Sequence, residues 1–275
     1  MGLRATRKLL SVILAVLTAA CTVLMLASFV VTSTLSSQGY ITKHLINETL
    51  VAECESQLNI KYDALALKSG IPARVFEMAA SEYGVEESLN TAAQYIFSEE
   101  SATLYNQDRV DYFCKLCTEY LEGNDISYKK EYVQNTAEEA AQIYSDCIGI
   151  HNADTVKDNI SGLNQSCAKI GSAALVVIVA ALILLTVMYK TKSTAYLYSA
   201  GAAAGGGIAA TIGSLVCLIA KVGSDFAVEP AIYQQSFSAM IRLYFIILLI
   251  VSIAFSAIAY SFSTVLIKKN NSRNK

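Results

Sequence analysis

Four stretches of this chain are apolar without a single charge: Leu9 to Val31, Ile170 to Met188, Ala195 to Ala220 and Leu243 to Ile267. Each is long enough to span a membrane, since about 30 Å of hydrocarbon takes about 20 residues at about 1.5 Å of rise per residue. A charge at mid-bilayer costs several kcal/mol, so the uninterrupted runs read as transmembrane helices. The polar residues return at Thr34 and give way again at Lys169, leaving a long segment whose apolar positions recur every three or four residues. That spacing predicts helices, and no alternating strand pattern of useful length appears.

The caps and stops divide this segment. A first helix is expected to continue out of the membrane through Tyr40, Leu45, Ala52, Leu58, Tyr62 and Leu65, and to stop at Lys68-Ser69-Gly70. Pro72 suits the first turn of a second helix, Ala73 to Tyr83, which Gly84 closes. A third is expected from about Glu86 to Glu99 and a fourth from about Asp108 to Glu122, closed by Gly123. The fifth starts after Ser127 and carries Tyr128, Tyr132, Ala140, Ile143, Tyr144 and Cys147 toward Gly149. A last stretch from Asp154, with Val156, Ile160 and Leu163, feeds the second apolar run. The expected fold is therefore all-α, an integral membrane protein with four transmembrane helices and a large helical extracytoplasmic domain between the first and second. Its divisions are 1–33 (N-terminus and first span), 34–168 (outer helical domain) and 169–275 (a three-helix transmembrane bundle with a short basic tail).

Charge orients this arrangement, because basic loops are retained in the cytoplasm. Arg4, Arg7, Lys8, Lys190, Lys192, Lys268, Lys269, Arg273 and Lys275 flank the spans on one side, with no acid among them. All 23 acidic residues fall on the other side, in the segment from Thr34 to Ala168 and in a short loop with Asp225 and Glu229. Lys169, Lys221 and Arg242 sit at span ends, where long side chains reach the headgroups. Both termini are expected in the cytoplasm, in a cell membrane, with the acidic domain outside. The first span exceeds the h-region of a cleaved signal and lacks an A-x-A site, so it is expected to stay as an anchor. Neither the lipoprotein-like Leu17-Thr18-Ala19-Ala20-Cys21 nor the myristoylation-like start at Gly2 is read as a lipidation signal.

The acidic outer domain argues against nucleic acid and polyanionic ligands and is compatible with cationic peptides, metal ions or a basic partner surface; the expected partners are the lipid bilayer, through the apolar spans, and a protein met through this domain or the third span. Ten tyrosines (Tyr40, Tyr62, Tyr83, Tyr95, Tyr105, Tyr112, Tyr120, Tyr128, Tyr132 and Tyr144) are expected to pack in the core and at its boundary with hydroxyls reaching water, an aromatic binding surface being the alternative use. Five cysteines lie outside the spans, where an oxidising exterior permits disulfides. Cys54, Cys114, Cys117 and Cys147 are the candidate disulfide set, with three possible pairings. Cys114-Lys115-Leu116-Cys117 lacks the strand context of a redox motif. His44 and His151, the two histidines, belong to no metal-binding or nucleophile motif. Glu86-Glu87, Glu99-Glu100 and Glu138-Glu139 are adjacent residues that point about 100° apart on a helix, which reads as solvated charge. No phosphate-binding loop occurs. A catalytic centre, a metal site and a cofactor are therefore not expected, and the chain is expected not to be an enzyme.

The third span carries Gly201, Gly205, Ala209 and Gly213 at a spacing of four, a ridge of small residues that lets helix backbones approach in lipid. A seam within the chain, a seam between copies and a hinge are the three uses of such a ridge. Ser252, Ser256 and Ser263 on the fourth span offer hydrogen bonds across it.

One span, a large outer domain and three clustered spans resemble the topology of the lipoprotein-release, macrolide-efflux and cell-division class of ABC permeases, which implies a separate ATPase partner. The loop from Tyr189 to Thr194 is shorter than the coupling contacts of that class require. Through Lys68-Ser69-Gly70-Ile71-Pro72, the following Val75-Phe76 and the C-terminal triple span, the chain also resembles uncharacterised membrane proteins of Gram-positive bacteria, a likeness that implies no activity. The function expected is that of a non-enzymatic multi-pass membrane protein whose outer domain senses a ligand or binds a partner. The alternative is a permease-like component of a transport or efflux complex.

Overall fold

The protein is described by a computed structural model over residues 3–96, 104–189, 192–222 and 231–273. Among these residues all regular structure is helical: α1 (Leu3–Ser33), α2 (Gln38–Leu45), α3 (Glu48–Ser69), α4 (Ala73–Tyr83), α5 (Val85–Tyr95), α6 (Gln107–Gly123), α7 (Lys130–Ile148), α8 (Ala153–Met188), α9 (Lys192–Ile219) and α10 (Ile232–Arg273). Glu99-Glu100, Lys190, Asp225, Glu229, Lys275 and the Gly2 start lie outside the described residues.

The helices form two compact units. One comprises Met1–Ser37, Ile160–Gly223 and Ile241–Lys275; the other comprises Gln38–Asn159 and Ser224–Met240. The boundary between them falls inside α8 and inside α10, each of which is a single helix across it.

The first unit holds the long apolar segments. Among the described residues four helices are long and apolar enough to cross a membrane. The third is the least apolar of them, because glycine and alanine replace larger apolar side chains there. Large apolar residues face outward along these helices, among them Val16, Phe29, Val187, Ile219 and Ile258. Such a continuous apolar exterior is suited to contact with lipid rather than with water.

In the second unit, burial follows the stripes along the helices. On α3 the buried residues are Leu50, Cys54, Leu58, Tyr62 and Leu65, one face at steps of four and three. On α6 they include Val110, Phe113, Cys117 and Leu121, and on α7 Val133, Ala137, Ala140, Tyr144 and Cys147. α3 packs on α4 and α7, and α6 on α4 and α7. Tyr62 stands at the centre, its ring 5.7 Å from Phe76 and 6.2 Å from Phe113, with its hydroxyl donating to the Ala140 carbonyl at 3.4 Å. Alanines on α7 keep that helix close enough for the aromatic rings of its neighbours to fill the space.

The expected first outer helix is divided. α1 ends at Ser33, where the Ser33 and Thr34 hydroxyls donate to the carbonyls of Phe29 and Val30, and α2 ends at Leu45. The second break has a clear cause: Asn47 takes an extended conformation and its side chain accepts from the Leu50 N–H at 2.9 Å, starting α3 as an N-cap. At the other end of α3, Gly70 adopts φ 65°, the left-handed conformation that ends helices at glycine, and its N–H donates to the Ala66 carbonyl. α4 spans Ala73 to Tyr83 as the Pro72 and Gly84 signals predict.

Candidate functional site

Among the described residues of the second unit, one cation is buried. Arg109 stands at the head of the α6 stripe, four residues before Phe113, and is only 8% exposed. Its guanidinium lies 4.5 Å from the ring centroids of both Tyr83 and Tyr144. One terminal nitrogen donates to the Leu104 carbonyl at 2.5 Å and the other to Ser88 Oγ at 3.5 Å. Among the described residues no carboxylate pairs with it, and its Nε has no partner. Two aromatic faces thus do much of what a counter-ion would do, because ring quadrupoles attract a cation and do so more strongly once water is excluded. Tyr144 donates to Ser88 Oγ at 2.9 Å, and burial raises its ionisation above the ordinary phenol range, against the opposing effects of Ser88 and Arg109.

A second cluster joins α3, the last turn of α7 and the first turn of α10. Tyr233 is fully buried, and its hydroxyl donates to the Ile148 carbonyl. Asn47, besides capping α3, donates from Nδ2 to Ser236 Oγ at 3.3 Å. The Tyr40 hydroxyl donates to the Met240 carbonyl at 3.3 Å, and burial pushes its ionisation up to about 12. Three hydrogen bonds therefore hold the first turns of α10. Beside them is an open groove of about 320 Å³, lined by Glu53, Gln57, Lys61, Asp146, Cys147 and Ile232. Its lining mixes acid, base and apolar surface.

The four candidate disulfide cysteines separate into two places. Cys54 and Cys147 meet across α3 and α7, with Cys54 Sγ 4.0 Å from the Cys147 carbonyl oxygen. Cys114 and Cys117 share α6, where Cys117 is buried and Cys114 half-buried. All seven cysteines are free thiols in this structure. Burial raises Cys54 and Cys117 to about 12, and it raises Cys147 as well, although Lys61 beside it acts in the opposite direction. His44 packs against the Tyr40 ring at 4.6 Å, and His151 Nε2 lies 3.1 Å from the Asp146 carbonyl oxygen. Among the described residues no three His, Cys, Asp or Glu side chains are grouped to hold a metal ion. Glu86 and Glu87 occupy the first turn of α5, where the helix dipole favours acids. Glu139 pairs with Lys68 at 2.7 Å on the surface.

In the first unit, the expected small-residue ridge takes a different position. Nothing within 4 Å would meet a Cβ at Gly201, Gly205 or Gly213, and Ala209 is exposed. The ridge therefore does not form a seam within the chain. That seam falls one residue later, on Ala202, Gly206, Ala210 and Ser214, which repeat at the same spacing and are buried. A Cβ on Gly206 would lie 2.6 Å from the Ala19 carbonyl oxygen and 2.7 Å from Thr22 Cβ, so α1 approaches α9 at backbone contact. Gly207 meets Ser256 and the Ser252 carbonyl of α10 in the same way. The serines of α10 do not bond across: Ser256 and Ser263 donate to carbonyls four residues back, at 2.7 and 2.9 Å, a local partner always within reach in a helix. Ser252 Oγ is buried with no partner among the described residues.

Sequence reading missed Arg109 as a core residue, although its place four residues before Phe113 and eight before Cys117 was a usable signal. It also missed Tyr233 and Lys61, for which no local pattern exists. No protein-family model, curated protein or solved structure matches the chain.

Proposed function

We propose that this is a non-enzymatic membrane protein whose second unit lies outside the cell membrane and senses a ligand or partner, passing a displacement to the membrane helices through α8 and α10. The observation that carries the reading is the triple hold of Tyr40, Asn47 and Tyr233 on the first turns of α10, a helix that runs on into an apolar segment. A ligand seated in the groove beside Lys61, Asp146 and Ile232 would touch both the grip and the helix that is gripped. The basic flanks of the spans and the acids confined to the other segments support cytoplasmic termini and an outer second unit.

Two measurements test this. Protease added to intact cells is expected to cut within the second unit and to spare a tag placed after Lys275; cleavage of the tag with the second unit protected overturns the orientation. Replacing residues 38–159 with a short linker, in a chain that still inserts, is expected to reproduce the phenotype of removing the whole protein. Full function of that variant would overturn the sensing role.

A further inference from the structure

We infer that Cys54 and Cys147 are a disulfide-forming pair, oxidised by a small organic disulfide of the size of cystine that reaches Cys147 from the groove. The two residues come from helices far apart in the chain, α3 and α7, and are brought together in the core with the Cys54 sulfur against the backbone of residue 147. Their environments differ in a way that assigns roles. Cys54 is wholly enclosed, whereas Cys147 forms part of the wall of the groove and has Lys61 beside it. An ammonium group next to a thiol favours the thiolate, the attacking species in exchange.

The reaction balances in two steps. The Cys147 thiol loses its proton and attacks one sulfur of cystine, breaking its S–S bond and releasing one cysteine, which takes up a proton. Cys54 then loses its proton and attacks the Cys147 sulfur, breaking the mixed disulfide and releasing the second cysteine. The protein loses two hydrogens and two electrons, and one cystine becomes two cysteines. Burial raises both thiols above the ordinary range, so the exchange is slow at neutral pH and faster as pH rises. The product links the second turn of α3 to the last turn of α7, beside the carbonyl that Tyr233 engages. Cys114 and Cys117, next to each other on α6, take no part.

The test uses the full chain, reduced, purified in detergent and incubated with a cystine–cysteine buffer at pH 8. After acid quench, alkylation in denaturant and digestion, mass spectrometry is expected to show a Cys54–Cys147 linked peptide, retained in the Cys114→Ser/Cys117→Ser variant. The thermal midpoint is expected to rise by at least about 5 °C on oxidation, as for a cross-link closing a long loop. In Cys54→Ser, cysteine is expected to accumulate as a mixed disulfide on Cys147. Recovery of both Cys54 and Cys147 as alkylated free thiols, or linkage of either one to a different cysteine in the wild-type chain, overturns the inference. The wild-type result decides the matter even where a variant fails to fold.

Discussion

Asn47 and Ser236 are joined by a 3.3 Å hydrogen bond across 189 residues of sequence, while the same Asn47 side chain caps α3 through the Leu50 N–H. One residue thereby starts a helix of the second unit and holds the helix that leads to the last apolar span.

The two roles separate by substitution. Ser236→Ala removes only the long-range bond and is expected to cost about 0.5–1.5 kcal/mol. Asn47→Ala removes that bond and the cap, and is expected to cost about 1 kcal/mol more. Thermal or denaturant unfolding of the purified chain in detergent checks both; equal effects would mean that the cap contributes nothing.

Tyr233→Phe leaves the ring buried and strips the Ile148 carbonyl of its donor. The expected loss is about 1–3 kcal/mol, the cost of an unsatisfied buried polar group. Amide exchange should rise at 231–240, near the start of α10, more than in α4. Unchanged exchange at the start of α10 would remove Tyr233 from the grip.

Arg109→Met keeps the length of the side chain and discards its charge. Because Arg109 is sandwiched by Tyr83 and Tyr144 without a carboxylate among the described residues, two opposing effects compete. Removing a buried charge relieves desolvation, but the carbonyl of Leu104 and the Ser88 hydroxyl lose a donor, and both rings lose a cation worth about 0.5–2 kcal/mol each. The partners outnumber the relief, so the variant is expected to be less stable by about 2 kcal/mol in urea unfolding. A gain in stability would show that the cation is tolerated rather than used.

The seam in the first unit predicts opposite outcomes for neighbouring glycines. Gly206→Leu drives a side chain into the Ala19 carbonyl and Thr22, and the folded yield in membranes is expected to fall several-fold. Gly201→Ala meets nothing within the chain and is expected to be neutral or stabilising by up to about 1 kcal/mol through helix propensity. Size-exclusion profiles and melting of the two variants compare them directly; a defect at Gly201 alone would move the seam back to the outward ridge.

Stability should also fall in alkali when the thiols are kept reduced. Cys54 and Cys117 are raised from 9.0 to about 12 by burial. Their protons are retained in the folded state after the unfolded chain has lost its own. The stability present below about pH 9 is therefore lost progressively between about pH 9 and 12, at roughly 1.4 kcal/mol per pH unit for each group. Tyr40, raised to about 12 by burial, adds to the loss above about pH 10. Cys117→Ala is expected to flatten the slope between pH 9 and 10; an unaltered slope would mean that Cys117 is not the source.

Much of the fold was legible because its signals are local. Gly70, Pro72 and Gly84 bracket α4 by backbone preference alone, and the charge-free runs mark the four long helices by composition. The division of the first outer helix was missed because Asn47 sits between residues that continue the helical period, and only its backbone conformation shows that it caps rather than continues.

What the chain alone determined was the number of apolar helices, the sorting of charge around them and the periodic stripes of the second unit. Tertiary structure decided the rest, because neighbours across space depend on how each helix is rotated about its axis. α9 carries two small-residue ridges, one on Gly201, Gly205, Ala209 and Gly213 and the other on Ala202, Gly206, Ala210 and Ser214, about 100° apart around the helix. Their spacing is identical, so nothing local favours either one; packing against Ala19 and Thr22 selected the second. The meeting of Cys54 with Cys147, and the enclosure of Arg109 between two tyrosines, were decided in the same way.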